Sequence, residues 1–415
     1  MKISFLIRSF QYRNYRLFFG GQCISQIGNW IQTIAMSWLV YGLTNSALML
    51  GFVGFIGQIP ILFFAPLAGV LLDGWNRHRA LVVTKTLAMC QAFMLAALVL
   101  TGKVTITQII VLSVFLGLVL SFEQTVSQSF VVNIVENKED LGNAIALNTA
   151  LFNAARLLGP AVAGILIVII GEGMCFLING ICFLAIIIAL LCMKIKPQKI
   201  VKQGNLLKGL KEGVAYVFDS VPMRSIIVIQ AFITLVGMPF GVLMPVFVKE
   251  ILGEGSGALG FIMGCSGLGS IIATFYLATR KDAACLAKLI PLSATILGLG
   301  LIGSSFSRLT WVSMFFALFT GFGAVLQLAA GNTILQMIVD DDKRGRVMSF
   351  STLAFSGVYP LGSLLAGSLG EMVGVPNEFM ISGILCLAGA LVFVANLGSI
   401  GEIINRRLSD IGVTM

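Results

Sequence analysis

Twelve apolar blocks, each long enough to cross a lipid bilayer as a helix, run through this chain almost from end to end. They fall at 17–41, 47–72, 80–100, 105–132, 143–170, 173–193, 224–248, 257–279, 285–305, 309–338, 347–370 and 378–398, parted by short stretches of charge or turn residues. A membrane helix needs roughly 20 apolar residues, so twelve spans in a chain of 415 leave about 150 for loops and tails. No soluble domain of ordinary size fits beside them. With 11% charged residues, the chain is far from the roughly one quarter of a water-soluble globule. The expected fold is an all-α polytopic membrane protein.

Charge sets the expected orientation. The net charge of +9 could suggest nucleic acid, but the 27 Lys and Arg lie in short clusters between apolar blocks rather than along one polar face. With both termini in the cytoplasm, only Lys103, Lys249 and Arg308 fall on the outer side, and Arg156 falls within a span. That asymmetry is the positive-inside pattern, so both ends are expected on the cytoplasmic side of the membrane. The one long connection, 194–222, carries Lys194, Lys196, Lys199, Lys202, Lys208 and Lys211, then an amphipathic stretch around Leu206, Leu210, Val214 and Phe218. Such a linker suits the anionic membrane surface, making lipids an expected partner. It divides the chain into a six-span bundle over 1–193 and another over 223–415.

Several chemistries are excluded. His78 is the single histidine, so no two-histidine metal site exists, and no G-x-x-x-x-G-K-[ST] loop is present to hold a nucleotide phosphate. The eight cysteines lack any C-x-x-C pair and sit almost wholly in apolar stretches, as packing residues do. No cofactor, metal or nucleotide is expected, and the chain is expected to act as a monomer.

The halves resemble each other. Residues 143–164, NAIALNTALFNAARLLGPAVAG, align without a gap on 346–367, RVMSFSTLAFSGVYPLGSLLAG, matching Phe152 with Phe355, Gly159 with Gly362 and Gly164 with Gly367. Each segment follows a charged loop. Duplicated bundles with a site near the midplane between repeats are how secondary transporters are built.

Between the second and third spans stands Gly69-Val-Leu-Leu-Asp73-Gly74-Trp-Asn76-Arg77-His78-Arg79. This resembles the G-x3-D-[RK]-x-G-x-[RK]-[RK] loop of the major facilitator superfamily, matched by Gly69, Asp73 and Arg79, with Arg77 one place early. Gly74 and Asn76 depart from the pattern. The resemblance implies two pseudo-symmetric six-helix bundles and a cytoplasmic gate in which Asp73, Arg77 and Arg79 act as a conformational latch. In the fifth span, Ala155-Arg156-x2-Gly159-Pro160-x2-Ala163-Gly164 is similar to the g-x3-G-P-x2-G-G bend of antiporter branches, which implies export. The run from Phe122 and Glu123 through Asn143, Asn148, Asn153 and Arg156, with Arg344-Gly345-Arg346 later, resembles the enterobactin-exporter and macrolide-efflux branch over nearly the whole chain.

Two residues are expected to carry full charge deep in the spans, Glu123 and Arg156. A charge at a helix centre costs roughly 2.5 to 3.5 kcal/mol on insertion scales, so neither should face lipid. Counting from the helix ends puts them about 15 and 20 Å deep, and they are expected to pair. That pair is either a permanent fastening of two helices or a working pair, in which Glu123 exchanges a proton or cargo takes the place of Glu123 beside Arg156. A polar stripe on the first span, Gln22, Ser25, Gln26, Asn29, Gln32 and Thr33, is expected to line a substrate cavity with Ser127, Gln128, Asn148, Asn153, Gln230, Thr234, Gln327 and Asn332. The alternative for each is hydrogen bonding between helices.

The expected function is secondary active export of a small organic molecule, siderophore- or drug-like, in exchange for protons. An importer or lipid facilitator of the same fold is the alternative. A membrane enzyme lacks its paired acid and nucleophile here, and a channel lacks rings of charge or filter loops.

Overall fold

The computed structural model describes residues 8–72, 75–135, 137–194, 216–218, 220–280, 283–340 and 343–395. Most of the basic linker, 195–215, and Asp73 of the expected gate lie outside them. Twelve helical spans follow in order. They are α1 (Arg13–Thr44), α2 (Ala47–Leu72), α3 (Arg77–Leu100), α4 (Ile106–Ile134), α5 (138–170) and α6 (172–191). After the linker come α7 (Val221–Ile251), α8 (Ser256–Ala278), α9 (Ala283–Phe306), α10 (Thr310–Ile338), α11 (344–373) and α12 (Val375–Ala395).

Among the described residues, ten stretches are long and apolar enough to cross a membrane, and one of these, Asp140–Leu191, holds both α5 and α6. The remaining span is α1, whose many amide and hydroxyl side chains lower its hydropathy.

Local chemistry sets the ends. The Asn76 side chain caps α3 by accepting from the amides of His78 at 3.0 Å and Arg79 at 3.3 Å. Thr105 and Gln108 form a reciprocal capping box at the start of α4. Asn45, at φ 46°, ends α1 in the left-handed conformation that Asn tolerates. Gly171, at φ 78° and ψ 170°, parts α5 from α6.

Three spans in the second half of the chain depart from their sequence outlines in ways that matter. α7 is broken by the turn around Gly237–Pro239 and ends in a wide π-helical turn, Phe247–Ile251. α11 contains a second such turn, Leu353–Gly357. α12 starts at Val375 rather than 378, which brings Glu378 inside its first turn.

Two compact units emerge. The first holds residues 1–45, 56–203 and 254–264, the second 46–55, 204–253 and 265–415. Each therefore includes the opening turns of one helix from the other half of the sequence. In the first unit α1 packs on α5 and α6, and α3 on α4 and α6, around Tyr15, Phe18, Leu81, Phe130, Phe183 and Leu190. In the second, α9 packs on α10 and α12.

Lipid tails are as apolar as Leu, so helices here are held by close packing and hydrogen bonds rather than by exclusion of water. Gly164 of α5 meets Gly260 of α8 in the first unit: a Cβ on Gly164 would stand 2.8 Å from the Gly260 Cα. In the second unit a Cβ on Gly367 of α11 would stand 2.8 Å from the Gly51 Cα of α2.

A further likeness concerns the residues before each unit's first helix. Tyr12 donates its hydroxyl to Asp140 Oδ2 at 2.8 Å, and Tyr216 donates to Asp340 Oδ2 at 2.7 Å. Asp140 lies in the first turn of α5 and Asp340 in the turn between α10 and α11, each close to the start of its half's fifth helix. Gln11 Nε2 also donates to Asp140 Oδ2. This hydrogen bond from the phenol to a carboxylate, first, and partial loss of water, second, hold the Tyr12 phenol above its usual 10.0.

Candidate functional site

The chemistry inside the first unit centres on Glu123 of α4. Its Oε1 stands 2.7 Å from Lys85 Nζ of α3, and the two side chains are 11% and 1% exposed. Lys85 Nζ also lies 3.4 Å from Ser25 Oγ of α1 and 5.4 Å from the centroid of the Phe183 ring of α6. The ammonium thus has a carboxylate, a hydroxyl oxygen and an aromatic face around it, groups that offset its removal from water. Glu123 Oε2 is buried and has no hydrogen-bond partner.

Lys85 thus takes the place at Glu123 Oε1 that the sequence assigns to Arg156. The apolar outline starts the third span at residue 80 and leaves Lys85 as an end-of-helix charge. α3 starts at Arg77, so Lys85 lies eight residues, about 12 Å, along it. Arg156 is half-buried on α5.

The polar stripe of α1 divides into two. Gln22, Gln26 and Asn29 are half-buried and Thr33 is exposed, whereas Ser25 and Gln32 are buried. Asn179 Nδ2 of α6 donates to Gln32 Oε1 at 2.8 Å, and Gln32 Nε2 donates to Gln91 Oε1 of α3 at 3.1 Å. Ser25 and Gln32 therefore fasten the bundle interior. Gln22 Oε1 is buried without a hydrogen-bond partner, and Thr33 Oγ1 donates to its own helix at Asn29 O. Ser127, Asn148 and Asn153 are half-buried, and the Gln128 side chain lies outside the description.

In the second unit the expected cavity residues cluster around hydroxyls. Ser351 Oγ of α11 lies 2.9 Å from Gln230 Oε1 of α7 and also contacts Asn332 Oδ1 of α10. One hydroxyl hydrogen cannot serve two carbonyl oxygens, so one amide presents its NH2 instead. Ser293 donates to Gln327 Oε1 at 2.6 Å. Thr234 Oγ1 and Gln230 Nε2 are buried without partners.

Gate and bend residues are placed as follows. Gly69 lies in α2, and Arg77 and Arg79 are exposed in the first turn of α3. His78 Nε2 lies 2.8 Å from Leu190 O, with its ring stacked on Phe130 at 6.0 Å. Gly159 lets α5 press against Trp30, Pro160 stands inside the helix, and Gly164 makes the approach to Gly260.

Sequence reasoning missed two residues, Lys85 and Glu378. Glu378 is buried in α12, with Ser382 donating to its Oε1 at 2.7 Å. Each stands within a turn or two of a helix start, where apolar block edges are least sharp.

Residues 7–402 match the family model described as transmembrane secretion effector. The Staphyloferrin A transporter of Staphylococcus aureus is 27% identical over 384 residues, covering 91% of this chain and 95% of that protein. The multidrug efflux pump Tap of Mycolicibacterium fortuitum is 23% identical, with 89% and 93% covered, and macrolide efflux protein A of Streptococcus pyogenes 20% identical, with 92% and 96% covered. Among solved structures, a bacterial homologue of the iron transporter ferroportin in an inward-facing state aligns with TM-score 0.72 at 17% identity, covering 94% of this chain and 98% of that one. A peptide transporter aligns with TM-score 0.74 at 12% identity. At these identities the solved structures speak to the fold.

Proposed function

We propose that this chain, which belongs to the transmembrane secretion effector family of the major facilitator superfamily, exports a small siderophore- or drug-like molecule in exchange for protons. The relatives named above are a siderophore transporter and two efflux proteins, which supports that cargo range. It is a multi-pass membrane transporter rather than an enzyme. In this reading it acts as a monomer in the inner membrane, with both termini cytoplasmic, and the two six-helix halves alternate access to the cargo.

The observation that carries the coupling is the half-used carboxylate of Glu123. Oε1 is held by Lys85 and Oε2 is buried without a partner, so Oε2 is where a proton arrives. While Glu123 is ionised, the pair is neutral as a unit and binds α3 to α4. A proton on Oε2 cancels the carboxylate charge and leaves Lys85 with only a neutral carbonyl oxygen at Oε1, the Ser25 hydroxyl and the Phe183 ring. The paired arrangement then loses most of its advantage over one in which α3 and α4 separate. Proton binding and helix movement thereby become one equilibrium.

Arg156 and the half-buried amides Gln22, Gln26, Asn29, Asn148 and Asn153 supply a cation and neutral donors to cargo. Asp73, Arg77 and Arg79 retain the gate role that the loop motif implies.

The test is E123Q in everted membrane vesicles. Proton-dependent accumulation of siderophore or macrolide probes is expected to vanish while the protein stays in the membrane at wild-type level. Proton-coupled transport retained by E123Q refutes the reading. Uptake in place of export would appear as the opposite sign of the proton response.

A further inference from the structure

A second acid is enclosed in the protein, and nothing in the coupling scheme above uses it. Glu378 stands in the first turn of α12 and is 2% exposed. Ser382, one turn on, donates to its Oε1 at 2.7 Å, and its Oε2 is buried without a partner.

Among the described residues the surroundings hold no balancing cation. The described ionisable groups on the elements packed against α12 are Arg224, Lys249 and Glu250 of α7, Lys288 of α9 with Arg308 just beyond it, and Arg344, Arg346, Tyr359 and Glu371 of α11. Cys386 follows on α12 itself. Arg308 donates to the carbonyls of Ser305 and Ser307, each at 2.9 Å. Glu371 Oε2 accepts from Ser46 Oγ and from the amides of Ala47 and Leu48. Among the described residues, no Lys, Arg or His nitrogen lies at ion-pair distance from Glu378.

Glu123 and Glu378 are therefore opposites. One buried carboxyl has a lysine against it, and the other has a single neutral hydroxyl. A buried carboxylate with one hydrogen bond and no counter-charge is strongly disfavoured against the neutral acid.

We infer that Glu378 is a second proton-binding site, in the second unit, loaded in this conformation. The exchange is a bare proton transfer: Oε2 gains or loses one proton, and no other bond changes. The route is short, because Glu378 lies four residues, about 6 Å, beyond Gly374, where the backbone turns at φ 83° between α11 and α12. As a part of the transport cycle this rests on the proton-coupled reading above. The protonation of Glu378 can be tested without it.

The experiment is difference infrared spectroscopy of the purified full-length protein in detergent during stepwise rises in pH. Wild type is expected to show the carbonyl stretch of a buried protonated carboxyl at neutral pH, fading as pH rises. E378Q removes the band, and E123Q keeps it. S382A keeps the band and moves its fading to higher pH, because the lost hydroxyl had stabilised the ionised form. Monodisperse elution of each variant checks that it is folded.

The inference is overturned by a wild type without the band, by a band that survives E378Q, or by a band that never fades while the protein stays folded. If E378Q does not fold, an unshifted band in S382A overturns it equally. Proton-coupled transport retained by E123Q would refute Glu123 as the coupling acid and leave the Glu378 band untouched. Loss of the band alone would do the reverse.

Discussion

Gly164 and Gly367, 203 residues apart in the sequence, make matching approaches: each would bring an added Cβ to 2.8 Å from the Cα of a partner glycine, Gly260 in one unit and Gly51 in the other. In each case the next neighbour is that glycine's backbone nitrogen, at 3.0 Å. Backbone cannot rotate aside as a side chain can.

Adding a methyl group at either site should therefore force the two helices apart. G164A and G367A are each expected to lower stability by about 1 to 3 kcal/mol, and by similar amounts. Thermal unfolding of the purified variants in detergent checks this. A loss confined to one of the two would show that the matching contacts do not contribute equally.

The ion pair between Lys85 and Glu123 predicts a non-additive pattern. K85M or E123L alone leaves a buried charge and should cost about 3 to 5 kcal/mol. The double variant should recover most of that loss while remaining inactive in transport. E123Q should fall between, since its amide oxygen can still accept from Lys85. A double-mutant cycle on thermal stability reads the coupling directly, and single variants as stable as the double would show that the pair contributes nothing.

The Tyr12 phenol gives a pH dependence outside the membrane. Its value in the folded protein is raised, chiefly by the hydrogen bond to Asp140. The contact is therefore fully present below the ordinary value of 10.0 and lost as pH climbs through the higher folded value. An ultraviolet titration, with Y12F subtracted, should place ionisation above that ordinary value, and D140A should bring it back down. No change in D140A would remove Asp140 as the cause.

Hydropathy makes the spans readable because the bilayer fixes their length, and the paired glycines 164 and 367 were legible as a repeat. Much of the site was not. Lys85 was hidden because a lysine near a block edge looks the same whether it reaches back to water or turns inward to meet Glu123. Glu378 was hidden by an outline that began α12 three residues late. Ser25 and Gln32 fell in with Gln22, Gln26, Asn29 and Thr33 because all six sit at helical spacings. A finer count parts them, since 25, 28 and 32 form one line and 22, 26, 29 and 33 its neighbour, a difference of well under one turn.

The wide turn Leu353–Gly357 puts one extra residue into α11, whereas α5 runs through the corresponding stretch without one. Beyond Gly357 the repeats keep step, which is why Gly164 and Gly367 find equivalent neighbours. Before Leu353 they are out of phase by one position, about 100° around the axis. Asn148 and Ser351 share an alignment column yet point along different bearings, and Ser351 is turned to both Gln230 and Asn332. Chemistry transplanted between the halves by alignment alone will be misaimed on that side of the bulge. Deleting a single residue there would bring the two copies back into phase.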